Sequence, residues 1–453
     1  MRVIRSPRLL VILALSVLIA CAKPLTLYKF PENAVSKFDP GLVEIERISD
    51  EDINADFSNC DDLNFLLPAV KDRRLVLLGE THYFARVRNI INRLIFSLKK
   101  GADFSFISLE APYSISPFIN YYIHLSDDSA AHQFYESELQ NFIHARSLKT
   151  FLDHSRQWNK QYPDNQIDIG AHDIEYNLEA VRDCILIPFF KSLYDASGDS
   201  VDLSEVHDVK VLLELLLKRL PEARPGTPVG RYPFITPDYI KSVLDNIQAT
   251  NQANQGKFFA RRQKRIIKNL TDDKLLGSYL RRGKSILYGG GQHMRTKGAF
   301  KKSAYYWEGE YFNNLDPWSK NKCLSISVSG VAFNLKKISQ SGKRDSLGYP
   351  SYFDNIQDAL KQRSITGSQK NSTYYALDNF NDFRKMLVSS AERISANCFR
   401  INQIDYDGLK RELRTKPIAA YPAIARELTY LKSFDVNLYV LKSEIWQVME
   451  KID

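Results

Sequence analysis

Leu75-Val-Leu-Leu-Gly-Glu-Thr-His82 runs four apolar residues directly into Gly79, Glu80 and His82. An uninterrupted apolar run of this length, closed by a turn, reads as a strand buried on both faces. In open α/β sheets, ligands sit just beyond the carboxyl ends of the strands. An acid and an imidazole two residues apart at such a place point to acid–base or metal chemistry.

The pattern repeats outward from this turn. Val87, Ile90, Ile91, Leu94, Ile95 and Leu98 recur at helical spacing, and Gly101 follows Lys99 and Lys100 as a helix stop. A second strand, Phe104–Glu110, ends on an acid before Pro112, and helical segments then run to Trp158. A third strand, Ile167–Gly170, leads into His172 and Asp173, and a helix from about Leu178 to Tyr194 follows. Residues 196–281 show no strand and read as a helical insertion. It holds the apolar helix Val211–Leu220, a Pro/Gly loop at Pro221–Gly230, and a helix opened by Thr236-Pro237-Asp238. The fourth strand, Ser285–Tyr288, breaks into Gly289, Gly290, Gly291, Gln292 and His293. Cys323–Phe333, Thr373–Leu377 and Val436–Leu441 are further strand candidates. This alternation predicts an α/β fold: a mostly parallel sheet flanked by helices, one domain over 71–453 with the helical insertion inside it.

Four strands therefore end in polar groups: Glu80 with His82, Glu110, His172 with Asp173, and His293. Side by side, they would place all these groups at one sheet edge. A Glu can orient a His, and a His can take a proton from water. The same residues could hold a divalent metal, although no HExxH pair occurs. Each also has a structural reading. Glu80 and Asp173 could cap the helices that follow, and Glu110 could cap its strand. His172 is read as a turn residue. The triglycine lacks the Lys-Ser/Thr of a phosphate loop, which disfavours nucleotide. The basic run Lys257–Lys268, with Arg261, Arg262, Lys264 and Arg265, reads as a solvated helix face.

At the amino terminus Arg2, Arg5 and Arg8 precede an apolar run, Leu9–Ala20, too short for a comfortable membrane span. It closes in Leu18-Ile19-Ala20-Cys21, the pattern of a bacterial lipobox. Residues 1–20 are then a signal peptide, Cys21 carries the lipid, and residues 21–70 are a polar tether. Ala22, rather than an acid, after the cysteine places the protein at the outer membrane, facing the periplasm. Three of the signal's arginines belong to the net charge of +9, so the remainder is only mildly basic. Nucleic acid is not an expected partner; a membrane held through the lipid and a small-molecule ligand or substrate are. Cys60, Cys184, Cys323 and Cys398 form no CxxC pair, and disulfides and free thiols both stay open.

The pieces LVLLGETH at 75–82, FISLEAPYS at 106–114, QWNKQYPDNQIDIGAHD at 157–173, LYGGGQH at 287–293 and SFDVNLYVLKS at 433–443 resemble the erythromycin esterase-like superfamily, which includes ChaN-like haem-binding lipoproteins. The resemblance implies an α/β fold with one site at the sheet edge. It casts His82 as the general base activating water, with Glu80 beside it, and matches Glu110, Asp173 and His293 to the remaining site residues. It leaves three functions open: a hydrolase of esters or lactones, a lipoprotein binding haem or another iron compound, and a metal-dependent hydrolase. One residue between Glu80 and His82 is the spacing of the ChaN-like branch.

Overall fold

The computed structural model describes residues 41, 43–49, 60–81, 85–143, 146–197, 212, 214–216, 218, 232–297, 305–330, 387, 398–414 and 431–440. The signal, Cys21, His82 and the strand candidate Thr373–Leu377 lie outside them.

Eight strands form one sheet: β1 Val43–Ser49, β2 Leu75–Glu80, β3 Phe104–Pro112, β4 Asp168–Asp173, β5 Lys284–Gly290, β6 Cys323–Gly330, β7 Cys398–Ile404 and β8 Val436–Val440. Their order is β1-β7-β8-β6-β2-β5-β3-β4. From β8 to β4 the pairings are parallel, whereas β7 runs antiparallel to β8 and β1 antiparallel to β7. The sheet is therefore the mostly parallel one that the alternation predicts.

Every residue of β2 is buried, as an inner parallel strand covered on both faces requires. Helix α1, Ala85–Ala102, packs against β2, β3, β6 and β8. Val87, Ile90, Ile91, Leu94, Ile95 and Leu98 are all buried in the same core cluster as Leu75–Leu78, so the spacing read in the sequence is the packed face. Gly101 is not the stop: α1 continues to Ala102, and Asp103 takes the left-handed conformation with φ 55°. Gly101 instead makes room for Leu67, whose Cδ1 would lie 2.5 Å from an added Cβ.

Further helices are α2 Ser116–His124, α3 Arg146–Gln161, α4 Ile187–Ser197, α5 Pro237–Asn254, α6 Phe258–Thr271 and α7 Glu308–Asn314. Thr236 caps α5 by accepting from Tyr239 N at 3.2 Å, as its sequence foretold. Leu212, residues 214–216 and Lys218 are helical too. Among the described residues, 196–281 holds no strand.

Three expectations are corrected. Val43–Ser49, read as tether, is an edge strand, whose alternating Val43, Ile45 and Arg47 lie opposite Ile404, Ile401 and Phe399. The third strand reaches Asp173, so His172 lies within it rather than in a turn. Cys398–Ile404, absent from the sequence reading, joins the antiparallel edge. Cys60, Cys184, Cys323 and Cys398 are thiols, none of them joined in a disulfide.

Candidate functional site

The topology sets β2, β5, β3 and β4 side by side and parallel, so the polar ends of all four lie along one edge. Register makes this specific. Glu80 is level with Gly290, Leu109 with Tyr288, and Pro112 with Asp173.

Glu110, at the end of β3, gathers donors from three directions. Its Oε2 accepts from the Gly290 backbone N–H at 2.5 Å, and its Oε1 accepts from Arg262 Nη2 at 2.5 Å. His293 Nε2 lies 3.3 Å from the same Oε1. Gly289 must be glycine for this to happen. A Cβ there would sit 2.7 Å from Glu110 Oε2 and 2.9 Å from its Cβ. The triglycine is thus a seat for a carboxylate, not a phosphate.

Asp173 ends β4 and does two things. It accepts from Ile174 N at 2.7 Å, a local cap, and receives Arg262 as a bidentate partner at 2.8 Å from Nε and 2.6 Å from Nη2. Arg262 comes from α6, which packs against β4. Its guanidinium therefore bridges Glu110 and Asp173 and approaches His293 Nε2 at 3.2 Å through Nη1. The reading of Lys257–Lys268 as a solvated face fails at this residue, whose side chain is only 12 % exposed. It fails again at Arg265, which binds Asn246 Oδ1 at 3.1 Å. Burial works against the charge on Arg262, but Asp173, Glu110 and Glu308 more than compensate and hold it firmly protonated.

His293 follows β5 in the single turn Gly291–Met294. Its Nδ1 lies 2.9 and 3.0 Å from the two carboxylate oxygens of Glu308, a fully buried residue of α7. The ring is packed edge-on by Trp307 at a centroid distance of 4.5 Å. Burial disfavours the imidazolium, yet Glu110 and Glu308 outweigh it and raise the His293 pKa above the ordinary value. His293 thus has a carboxylate at each ring nitrogen, with Arg262 the one charge beside it that opposes the rise. Gln263, next to Arg262, reaches Nδ1 at 3.2 Å.

Glu80 belongs to an adjoining cluster on the far side of β5. Tyr288 Oη donates to its Oε2 at 2.5 Å, and Arg88 Nη2 donates to its Oε1 at 3.1 Å. Arg88 Nε also donates to Tyr288 Oη at 3.0 Å, closing the triangle. Thr81 ends at the same edge, its N–H on Val328 O at 3.0 Å. His172 is fully buried with Nδ1 2.9 Å from Ser108 Oγ; burial lowers its pKa and keeps it neutral.

Glu110, Asp173 and His293 are therefore brought together, Glu80 stands one strand away, and His82 lies outside the described residues. Glu308 and Gln263 escaped the sequence reading, Arg262 was assigned to a solvated face, and Arg88 was given no role. One signal was present: Gln263 and Asn269 share a helical stripe with Ile266 and Leu270, and all four are buried. Glu175, two residues beyond Asp173, also escaped it. Its carboxyl accepts from Ser114 N and Oγ at 2.9 and 2.7 Å, and burial pushes its pKa up to about 8.

These residues do not fit a divalent metal. The space between Glu110 and Asp173 holds the Arg262 guanidinium, which bridges the pair, and among the described residues no group of three His, Cys, Asp or Glu is arranged to hold a metal ion. His293 and His172 are both buried, so neither presents an open ring nitrogen to haem.

By sequence, no family model and no curated protein matches the chain. Solved structures similar to it include a succinoglycan biosynthesis protein, at 12% identity and a TM-score of 0.46, covering 90% of this chain and 98% of that one. A mutant of the erythromycin esterase EreC in its open conformation is similar at 14% identity and a TM-score of 0.37, over 60% of this chain and 74% of its own. ChaN of Campylobacter jejuni with cofacial haem is similar at 15% identity and a TM-score of 0.24, over 60% and 88%. Both branches of the resemblance seen in the motifs recur among these structures. Likenesses this distant transfer no ligand, reaction or residue role.

Proposed function

We propose that the polar edge of the sheet is the acid–base centre of a hydrolase for esters or lactones. The observation that carries this reading is His293, held between the carboxylates of Glu308 and Glu110, which favour its protonated form. A buried imidazolium with an orienting carboxylate is suited to protonating a leaving group. Arg262 and His293 also supply donors where a tetrahedral oxyanion would form.

His82, one residue beyond Thr81, is the base in this proposal, with Glu80 beside it. Water attacks the carbonyl carbon and gives its proton to His82. The carbon–oxygen bond to the leaving group then breaks, and the alkoxide takes the proton from His293 Nε2. Solvent returns a proton from His82 to His293, leaving an acid and an alcohol. The test is turnover of an ester and lactone panel by the wild type and by His82→Ala. General acid–base groups contribute about 10²–10⁴-fold, and a loss of that size is expected with the fold unchanged. Full activity in the variant would rule His82 out as the base.

The same proposal anchors the protein to the outer membrane through a lipid on Cys21, with this edge in the periplasm. Its support is the Arg-rich start, the apolar run Leu9–Ala20 and the lipobox-like Leu18–Cys21. Labelled palmitate should enter the wild type and not Cys21→Ser; equal labelling would refute the anchor.

A further inference from the structure

The opposite edge of the sheet carries a second feature, at the amino-terminal ends of β2, β3 and β5. A cleft of about 730 Å³ lies there, lined by Lys71, Arg73, Arg74, Arg281, Arg282 and Lys284. Asp72 and Asp103 also line it, and Asp103 is tied to Lys99 at 3.1 Å. Six cations against two acids leave the cleft strongly positive.

How the cations are held matters more than their number. Arg281 is compensated by Asp273 at 2.9 Å and Asp316 at 3.5 Å, and Arg282 by Asp168 at 3.5 Å. The other three anchored cations rest on backbone carbonyls. Arg74 Nη1 donates to Trp318 O at 2.8 Å, Arg73 Nη1 to Asn321 O at 3.2 Å, and Lys284 Nζ to Lys71 O at 2.9 Å. A carbonyl fixes a cation in place without cancelling its charge. Among the described residues Arg73, Arg74 and Lys284 are thus positioned without a carboxylate partner, and they line one cleft at the neighbouring starts of β2 and β5, an arrangement that costs stability by mutual repulsion. Arginine forks match phosphate oxygens, and a multiply charged anion would relieve all three at once.

We infer that this cleft binds a phosphate-bearing anion on the side of the sheet away from the acid–base site. The shared chemistry is a phosphate ester, free in solution or carried by a lipid headgroup. The probes are pyrophosphate, by calorimetry, and vesicles of phosphatidylcholine with or without phosphatidylglycerol, by flotation. The full chain carrying Cys21→Ser is used, so that no protein-linked lipid contributes. Arg74→Glu with Lys284→Glu is compared with Lys241→Glu plus Lys264→Glu, exposed positions elsewhere that change net charge equally. Arg74→Gln serves as the milder variant, because Lys284 also braces the backbone.

Pyrophosphate binding assigns a soluble ligand; binding only to the phosphatidylglycerol vesicles assigns a headgroup. In either case the cleft pair should weaken binding at least about 20-fold, since a surface cation contributes about 1 kcal/mol toward an anionic membrane, roughly fivefold each. Arg74→Gln should weaken it about fivefold and the control pair little. Binding to neither probe, or equal losses in the cleft and control pairs, overturns the inference.

Discussion

Replacing Arg262 with Met separates a bridge at the centre of a charged network from a residue on a solvated face. The Glu110 and Asp173 oxygens that share Arg262 Nη2 lie 2.5 and 2.6 Å from it, hence within about 5 Å of each other. At an effective dielectric of about 20, two like charges at that distance repel by about 3 kcal/mol. Removing one partner of a buried ion pair typically costs about 3–5 kcal/mol, which agrees. Arg262→Met should therefore lose about 3–5 kcal/mol in urea unfolding followed by tryptophan fluorescence. The neighbour Arg261→Met, on the exposed side, should stay within about 0.5 kcal/mol. The loss should also shrink on acidification. Unpaired buried carboxylates have raised pKa values, so the stability they withhold at neutral pH returns as they take up protons. Adding Asp173→Asn should recover part of it. A loss under about 1 kcal/mol, equal to that of Arg261→Met and flat with pH, would refute the bridge.

Glu308→Gln removes one of the two charges that raise His293, so the ring's titration by NMR should move down; an unmoved ring would deny their coupling. Because the folded value of His293 is raised, its contribution is full below the ordinary imidazole range and lost as pH rises through the folded value, and the variant should lose it earlier. Glu175, with its pKa near 8, should cost the folded state up to about 1.4 kcal/mol per pH unit between the ordinary carboxylate range and pH 8. Glu175→Gln should therefore match the wild type in acid and exceed it above pH 8, as unfolding at several pH values would show. Gly289→Ala pushes on the Glu110 carboxylate and should cost about 1–3 kcal/mol.

The four parallel strands β2, β3, β4 and β5 were legible because each is a short apolar run ending at a polar turn, and burial leaves that mark locally. The antiparallel edge, β1 and β7, left a weaker one. Val43–Ser49 alternates apolar and charged residues only as far as Glu46, and its partner Cys398–Ile404 lies about 350 to 360 positions away, a pairing no local pattern reveals. The site divides in the same way. Glu110, Asp173 and His293 stand at strand ends, where position alone raises suspicion. Arg262 and Glu308 reach them from helices and acquire their roles only through long-range packing. In a run of six cations within twelve residues, the one cation that bridges the carboxylates looks like its neighbours.

The central claim is that His293 delivers the proton a departing alkoxide requires. It is tested by comparing wild type and His293→Gln on esters of graded leaving group, from nitrophenol to a simple alkyl alcohol. Nitrophenolate leaves without a proton and an alkoxide does not. The loss in kcat/KM should therefore be small for the nitrophenyl ester and reach about 10²–10⁴-fold for the alkyl ester. An equal loss across the series, or no turnover of any ester by the wild type, would contradict the account.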